Sequence, residues 1–239
     1  MICCIVQPTF MPWCGFFALI DQCDTAVLLD SVAFSKQSWQ QRNRIRTEKG
    51  LEYLTVPVKT AGRFGQKIFD VEIANNDFIF SMESKIFSHY REAQFFSEYS
   101  PLIIETLKAK AQEQNLSQLN IEMIRLFIEI LGIKTPFTLS STLNVEAERS
   151  ILLTEICEYH SCRSYLSPRG ASEYLWKDRE IFEKRNVKVF LQEFNHPNYS
   201  QVYDPFIPFA SVLDLVFNEG PRSLEIIRSG MRNPEELIG

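Results

Sequence analysis

The chain opens with a strand, a loop and a helix in direct succession, and no other feature restricts its fold as strongly. Ile2–Val6 is an apolar strand-like run that passes straight into Gln7-Pro8-Thr9-Phe10-Met11-Pro12-Trp13-Cys14-Gly15-Phe16. Phe17–Cys23 then reads as a short helix and Ala26–Asp30 as a second buried strand. Strands joined through a helix pair in parallel and cross over right-handedly. Ligands of such open α/β sheets sit at the carboxyl ends of the strands. A helix N-terminus there offers free backbone N–H groups and the positive end of its dipole. The Gln7–Phe16 loop is therefore the first candidate for a site.

The same pattern returns late in the chain, after a helical interval. Leu51–Val58 and Ile68–Ile73 alternate like strands, with a turn at Thr60–Gly65. Asp77–Phe96, Pro101–Gln114 and Leu116–Leu131 carry helical spacing, the second starting at its proline and the third ending at Gly132. Thr135–Leu139, Ser164–Leu166 and Val187–Phe190 read as strands, with helices over Val145–His160, capped by Asn144, and Ala171–Arg185 between them. Pro197–Phe209 is irregular and aromatic; Ser211–Phe217 and Ser223–Arg228 are the last helices. The fold class expected is α/β, a Rossmann-like, mostly parallel sheet in a single domain over 1–239, with a helical insertion at 77–132.

Composition agrees with a large core: 239 residues, 45% hydrophobic, with 19 Phe. A net charge of -5 argues against a nucleic-acid track. No segment approaches the roughly 20 apolar residues of a membrane span. Gln7, Pro8 and Pro12 break the N-terminal apolar run, which lacks a basic start, so no signal peptide is expected and the protein is placed in the cytoplasm. Cys157, His160 and Cys162 fit no closed zinc set, so neither metal nor cofactor is expected.

Chemistry-bearing residues fall into a few groups. In a strand, Arg42, Arg44 and Arg46 share one face, which suits phosphate or carboxylate recognition, while a solvated basic face is the plainer reading. Lys36, Trp39 and Asn43 lie in the same basic stretch. Asp30 ends the second strand, placed either to bind a sugar hydroxyl or amine or to cap the next turn. Tyr165-Leu166-Ser167-Pro168-Arg169-Gly170 repeats the strand–turn–helix logic of the opening and would face the same edge. Ser211-x-x-Asp214 resembles a capping box, but a carboxylate among so many Phe residues is also a candidate for a raised pKa and a catalytic role. No nucleophile elbow, Walker loop or dinucleotide glycine fingerprint is present.

These segments resemble the WbqC-like proteins. The resemblance rests on Gln7-Pro-x-x-x-Pro-Trp13-x-Gly15-Phe, Leu28-Leu-Asp30, Phe34-Ser-Lys36-x-x-Trp39-x-x-Arg42-Asn43-Arg44-Ile45 and Leu54-Thr-Val-Pro-Val58. Toward the C-terminus, Tyr165-Leu-Ser167, Tyr199-x-Gln201 and Phe206-x-Pro-x-x-Ser-Val-Leu-Asp214-Leu-x-Phe-Asn-x-Gly220 continue it. Family members often carry a second acid where Ser31 stands and Asn where Gln41 stands. A fainter likeness links Thr9-Phe-x-Pro-x-x-Gly15-Phe16 to nucleotidylyltransferases, with Phe16 where their catalytic histidine would be.

The resemblance implies an acyl or aminoacyl (glycine) transferase that acts on a nucleotide-linked amino sugar in bacterial O-antigen synthesis. Its partners would be the nucleotide sugar and an acyl or aminoacyl donor, with the oligomeric state, a homodimer included, left open. Asp30 or Asp214 would act as base or orient the amine. Gln7, Pro8, Trp13, Gly15, Lys36, Trp39, Arg42, Asn43, Arg44, Tyr165, Ser167, Tyr199 and Gln201 would bind substrate. A non-catalytic glycan-pathway binding or assembly protein, or a degenerate nucleotidyltransferase, are the alternatives.

Overall fold

The structure, a computed structural model, describes residues 1–239. Its centre is a six-stranded sheet in the order β5-β2-β1-β6-β7-β8. The strands are β1 Ile2–Val6, β2 Thr25–Leu28, β5 Phe137–Leu139, β6 Ser164–Ser167, β7 Lys188–Leu191 and β8 Glu235–Ile238. All pairings are parallel except β7–β8. The opening strand is central: β1 pairs with β2 through Ile5–Val27 and with β6 through Cys3–Tyr165. From β1 the chain builds outward to β2 and β5, then from β6 to β7 and β8. The order reverses between β1 and β6, the place where a doubly wound sheet opens its ligand crevice.

The period of two along each strand sends its side chains into two cores. Cys4, Val6, Ala26, Leu28 and Leu166 face a cluster of 41 buried residues. That cluster takes in α1 (Cys14–Asp21), the helical block α2 (Asp77–Tyr90), α3 (Phe96–Ala111) and α4 (Leu116–Leu131), and α8 (Val212–Glu219). Cys3, Ile5, Val27, Tyr165 and Val189 face a second cluster of 16, packed under α5 (Arg149–Tyr159), α6 (Ser172–Lys177) and α7 (Arg179–Lys184). α9 (Ser223–Ser229) closes the first face beside α1. A separate antiparallel hairpin, β3 Arg42–Thr47 and β4 Gly50–Thr55, stands apart from the sheet.

Several boundaries differ from the sequence reading. Ile68–Ile73 is no strand: Ile68–Asp70 forms a 3-10 turn, and only single bridges, Glu72 to Asn115 and Ile73 to Val58, follow it. Its buried positions are Ile68, Val71 and Ile73, a spacing that only partly alternates. The second long helix starts at Phe96, so Pro101 lies inside it, with the exposed Ser97 one turn earlier left to water. The preceding helix stops at Tyr90 without a Gly or Pro signal, because Phe95 N–H donates to the Phe217 carbonyl at 2.9 Å and leads the chain away. Asn144 caps nothing: α5 begins only at Arg149, with Glu148 in the cap position. The helix expected over Ala171–Arg185 is split at Asp178, whose Oδ2 accepts the Ser150 hydroxyl at 2.7 Å. The edge strand β8 is charged and half-exposed, which hid it from a search for apolar runs.

Candidate functional site

Strand geometry puts Arg42, Arg44 and Arg46 on one side of β3, but their fates diverge. Arg46 is 1% exposed and spends its guanidinium on the carbonyls of Thr47, Tyr203 (3.2 Å) and Pro205 (2.9 Å), so it pins the 203–205 segment rather than facing a ligand. Arg42 lies 4.5 Å over the Tyr53 ring and Arg44 5.2 Å over Trp39. Neither is in an ion pair; Arg44 Nε is buried without a partner, and its Nη2 makes only a 3.4 Å contact with the Phe209 carbonyl. Cations on ring faces, with anion-seeking N–H groups unspent, are the strongest recognition feature of this surface.

Arg44 borders a small pocket of about 220 Å³ walled by Trp13, Phe16, Trp39 and Phe209, with Thr9 at its edge. Trp13 is held by Phe194 at 5.5 Å, Phe209 at 5.5 Å and a stacked His196 at 5.9 Å. Gly15 is required beneath it, since a Cβ there would lie 2.2 Å from the indole. Asn43 also lines the pocket, yet its amide is fully used, donating to the Phe10 (3.1 Å) and Met11 (2.9 Å) carbonyls and accepting from Arg44 N–H (2.8 Å). It holds the opening loop against the hairpin. Trp13, Trp39, Asn43 and Arg44 therefore converge on the pocket, with Gly15 beneath Trp13, while Arg42, over Tyr53, does not line it.

His196, not singled out in the sequence, stands behind this pocket. Its Nδ1 lies 2.9 Å from the Pro197 carbonyl and must donate to it, which leaves Nε2 as the acceptor of the Phe209 N–H at 3.1 Å. Cys14 Sγ is 3.4 Å from the same Nε2. Burial lowers the His196 pKa, which favours the neutral ring, and pushes the Cys14 thiol up to about 12. The missed signal was His196 beside Tyr199 and Gln201 in an aromatic segment.

The two expected acids sit elsewhere. Asp214 is fully buried; its Oδ2 accepts from Tyr199 OH at 2.7 Å and Gln201 Nε2 at 2.8 Å. Ser211 does cap α8, accepting from Leu213 N–H at 3.3 Å, but Asp214 does not return the capping-box bond. Burial raises the Asp214 pKa against the lowering effect of those hydrogen bonds. Tyr199 and Gln201 thus serve Asp214, and Gln201 also brackets Ile207 through both its amide atoms. Asp30 is 1% exposed, and its carboxylate accepts the Ser140 hydroxyl (3.0 Å), the Ser141 N–H (2.8 Å) and the Ser141 hydroxyl (2.7 Å). It ties the end of β2 to the turn after β5. Neither acid lines the aromatic pocket.

The other flank of the opening loop borders a far larger cleft, about 1040 Å³, at the carboxyl ends of β1 and β2. Gln7 lines it and accepts from Gln40 Nε2 at 2.7 Å. Pro8 is buried, its carbonyl taken by Asn120 Nδ2 at 3.1 Å. Tyr165 and Ser167 are buried within the sheet and reach neither pocket; the Tyr165 hydroxyl meets the Ile5 carbonyl at 3.4 Å. Arg169, in the following turn, pairs with Glu193 and Glu235. Lys36 is exposed and lines neither pocket. The residues expected to bind substrate thus do not share one pocket: Trp13, Trp39, Asn43 and Arg44 line the aromatic pocket and Gln7 the cleft.

No group of His, Cys, Asp and Glu side chains is arranged to hold a metal ion. Cys157 Sγ lies 3.5 Å from Cys3 Sγ, His160 Nε2 lies 3.2 Å from the Thr138 hydroxyl, and Cys162 Sγ lies 3.5 Å from the His160 carbonyl. No helix is long and apolar enough to cross a membrane.

The sequence model of the WbqC-like protein family matches residues 7–226, which span both the opening loop and Asp214. The chain belongs to the WbqC-like protein family. A relative from Mycobacterium tuberculosis (strain ATCC 25618 / H37Rv), described as "Uncharacterized protein Rv1507c", is 30% identical over 225 residues, covering 94% of this chain and 96% of its own. No solved structure matches the chain. The WbqC-like segments Trp13–Phe16 and Trp39–Arg44 supply most of the wall of the aromatic pocket.

Proposed function

We propose that this WbqC-like protein transfers an acyl or aminoacyl group, glycyl in the simplest case, to the amine of a nucleotide-linked amino sugar used for bacterial surface polysaccharide. The observation that carries this reading is the pair Arg42 and Arg44: guanidinium groups without carboxylate partners, Arg44 over Trp39 in the wall of an aromatic pocket and Arg42 over Tyr53, the ring next to Trp39. The pocket volume of about 220 Å³ suits one sugar ring and is too small for a whole nucleotide sugar. The ring stacks among Trp13, Trp39 and Phe209, and the phosphates run outward along Arg44 and Arg42.

In the transfer, the neutral sugar amine attacks the acyl carbon. A C–N bond forms, the bond to the carrier breaks, and the carrier leaves with the electron pair. The proton lost from nitrogen goes to His196 Nε2 once Phe209 N–H and the Cys14 thiol have released it. Phe209 is held at φ 68° and is 47% exposed, so that release relieves backbone strain at an exposed position. Asp214 and Asp30 act here as positioning residues, the first through Tyr199 and Gln201 and the second through Ser140 and Ser141.

The test is a mass-spectrometric assay of purified protein with glycyl donors and nucleotide amino sugars. The expected product is heavier than the acceptor by one glycyl group, and both Arg44→Gln and His196→Asn abolish it. A second reading, a non-catalytic glycan-pathway binding or assembly protein, draws on the burial of both expected acids, each hydrogen-bonded within the protein. It gains if nucleotide sugars bind and no donor gives product. A degenerate nucleotidyltransferase would release pyrophosphate from a nucleoside triphosphate, and Phe16 in the pocket wall supplies no acid–base group for that.

A further inference from the structure

The large cleft is assigned no role by the reading above, and its chemistry is specific. It lies at the carboxyl ends of β1 and β2, beside the reversal of strand order between β1 and β6. Its apolar wall includes Leu29, Val32, Leu152 and Leu153, with the Tyr174 ring at one side. Its rim carries both signs of charge. Lys177 is already paired with Glu173 at 2.7 Å, and Asp178 accepts the Ser150 hydroxyl. Four more charges have neither an ion pair nor a side-chain hydrogen bond: Lys67, 5.6 Å over the Phe69 ring, Arg149, and Glu146 and Glu148 from the segment before α5. Arg149 is also fixed in the left-handed region, φ 52°, at the first position of α5. Opposite charges that line one cleft yet remain apart leave a gap that a ligand carrying both signs can fill.

We propose that this cleft is the donor site and that it binds an aminoacyl group carried on a nucleoside phosphate. Lys67 and Arg149 hold the phosphate, Glu146 and Glu148 face the α-ammonium, and the apolar wall with Tyr174 takes the base. The assignment rests on the transferase reading. It narrows that reading from acyl donors in general to aminoacyl donors, because a plain acyl group gives the two carboxylates nothing to bind. The volume, about 1040 Å³, admits such a molecule where the aromatic pocket does not. The two sites share the Gln7–Phe16 loop as a common wall, Gln7 on the donor side and Trp13 on the acceptor side. Gln40 bonded to Gln7, with Trp39 next in sequence, joins the walls physically.

The test is calorimetric titration of the full chain with the 5′-O-glycylsulfamates of adenosine and uridine, which mimic the activated donor without reacting, and with AMP and UMP. At least one sulfamate is expected to bind. Lys67→Ala and Arg149→Ala are each expected to weaken that sulfamate and its monophosphate tenfold or more. The double change Glu146→Gln/Glu148→Gln should weaken the sulfamate at least tenfold and leave the monophosphate within about twofold. Arg44→Gln, on the acceptor side, should leave both unchanged while removing nucleotide-sugar binding. Circular dichroism confirms that each variant, altered only at exposed positions or on the pocket rim, is folded. Absence of sulfamate binding up to millimolar concentration, or binding indifferent to Lys67 and Arg149, overturns the proposal. So does loss of sulfamate binding with Arg44→Gln, which would put the nucleotide in the aromatic pocket. If the sulfamate behaves as expected but no amino sugar binds, the acceptor reading fails and the donor site stands.

Discussion

At the residue scale, the two carboxylates show how far chemistry can be read from residue type alone. Asp30 ends a parallel strand and Asp214 lies in an apolar helix, and both positions were legible. What each carboxylate touches was not, because Ser140 and Ser141 are more than a hundred residues away from Asp30 and no pattern links them. Asp30→Ala leaves two hydroxyls and a backbone N–H without their acceptor, so it should lower stability by about 2–4 kcal/mol, measured by urea unfolding. For Asp214 the environment was foreseen: burial among aromatics raises its pKa. The folded state then holds that proton more tightly than the unfolded chain does. Its contribution to stability is therefore greatest at low pH and falls as pH rises above the ordinary carboxylate range. Asp214→Asn should flatten that part of the profile, which unfolding midpoints measured from about pH 4 to pH 7 will show. An unchanged slope would mean that Asp214 titrates as an ordinary carboxylate.

At the scale of elements, legibility followed the strength of local signals. The helix Leu116–Leu131 has both of its ends written in sequence: Asn115 caps it by accepting Gln118 N–H at 2.9 Å, and Gly132 closes it at φ 74°. Breaks set by distant partners, such as Tyr90 before Phe95 or Asp178 between α6 and α7, had no local mark. The opening loop is intermediate. Its place between the first strand and the first helix was legible, but that it borders two pockets depends on how Trp13 packs over Gly15. Gly15→Ala places a methyl group within 2.2 Å of an indole already wedged between Phe194 and Phe209. The fold should survive, with far-UV circular dichroism unchanged. Tryptophan fluorescence should shift, and sugar binding should fall at least tenfold, a loss of about 1.4 kcal/mol or more.

At the scale of the whole molecule, the early strand–helix–strand unit and its late repetition were enough to point to an α/β fold with a mostly parallel sheet. The edge strand β8, with its charged residues, was not. The helical block 77–132 was read as an insertion within one domain, and the larger core bears on this because it joins Met82, Ile103 and Phe127 of the block to Cys4, Val6 and Leu28 of the sheet. A segment that shares a core with the sheet cannot leave it without exposing both. Thermal and urea unfolding should therefore follow one cooperative transition by every probe, and a chain lacking 77–132 should not fold. Two separated transitions would make the block an independent unit. The central claim concerns the two flanks of the opening loop, an aromatic acceptor pocket at Arg44 and a charged donor cleft at Arg149. It is tested most directly by incubating the purified protein with an aminoacyl donor and a nucleotide-linked amino sugar and weighing the product. The account predicts an acceptor heavier by one aminoacyl group, lost separately with Arg44→Gln and with Arg149→Ala. Product formation that survives both changes would contradict it, as would the absence of product with every donor while both ligands bind.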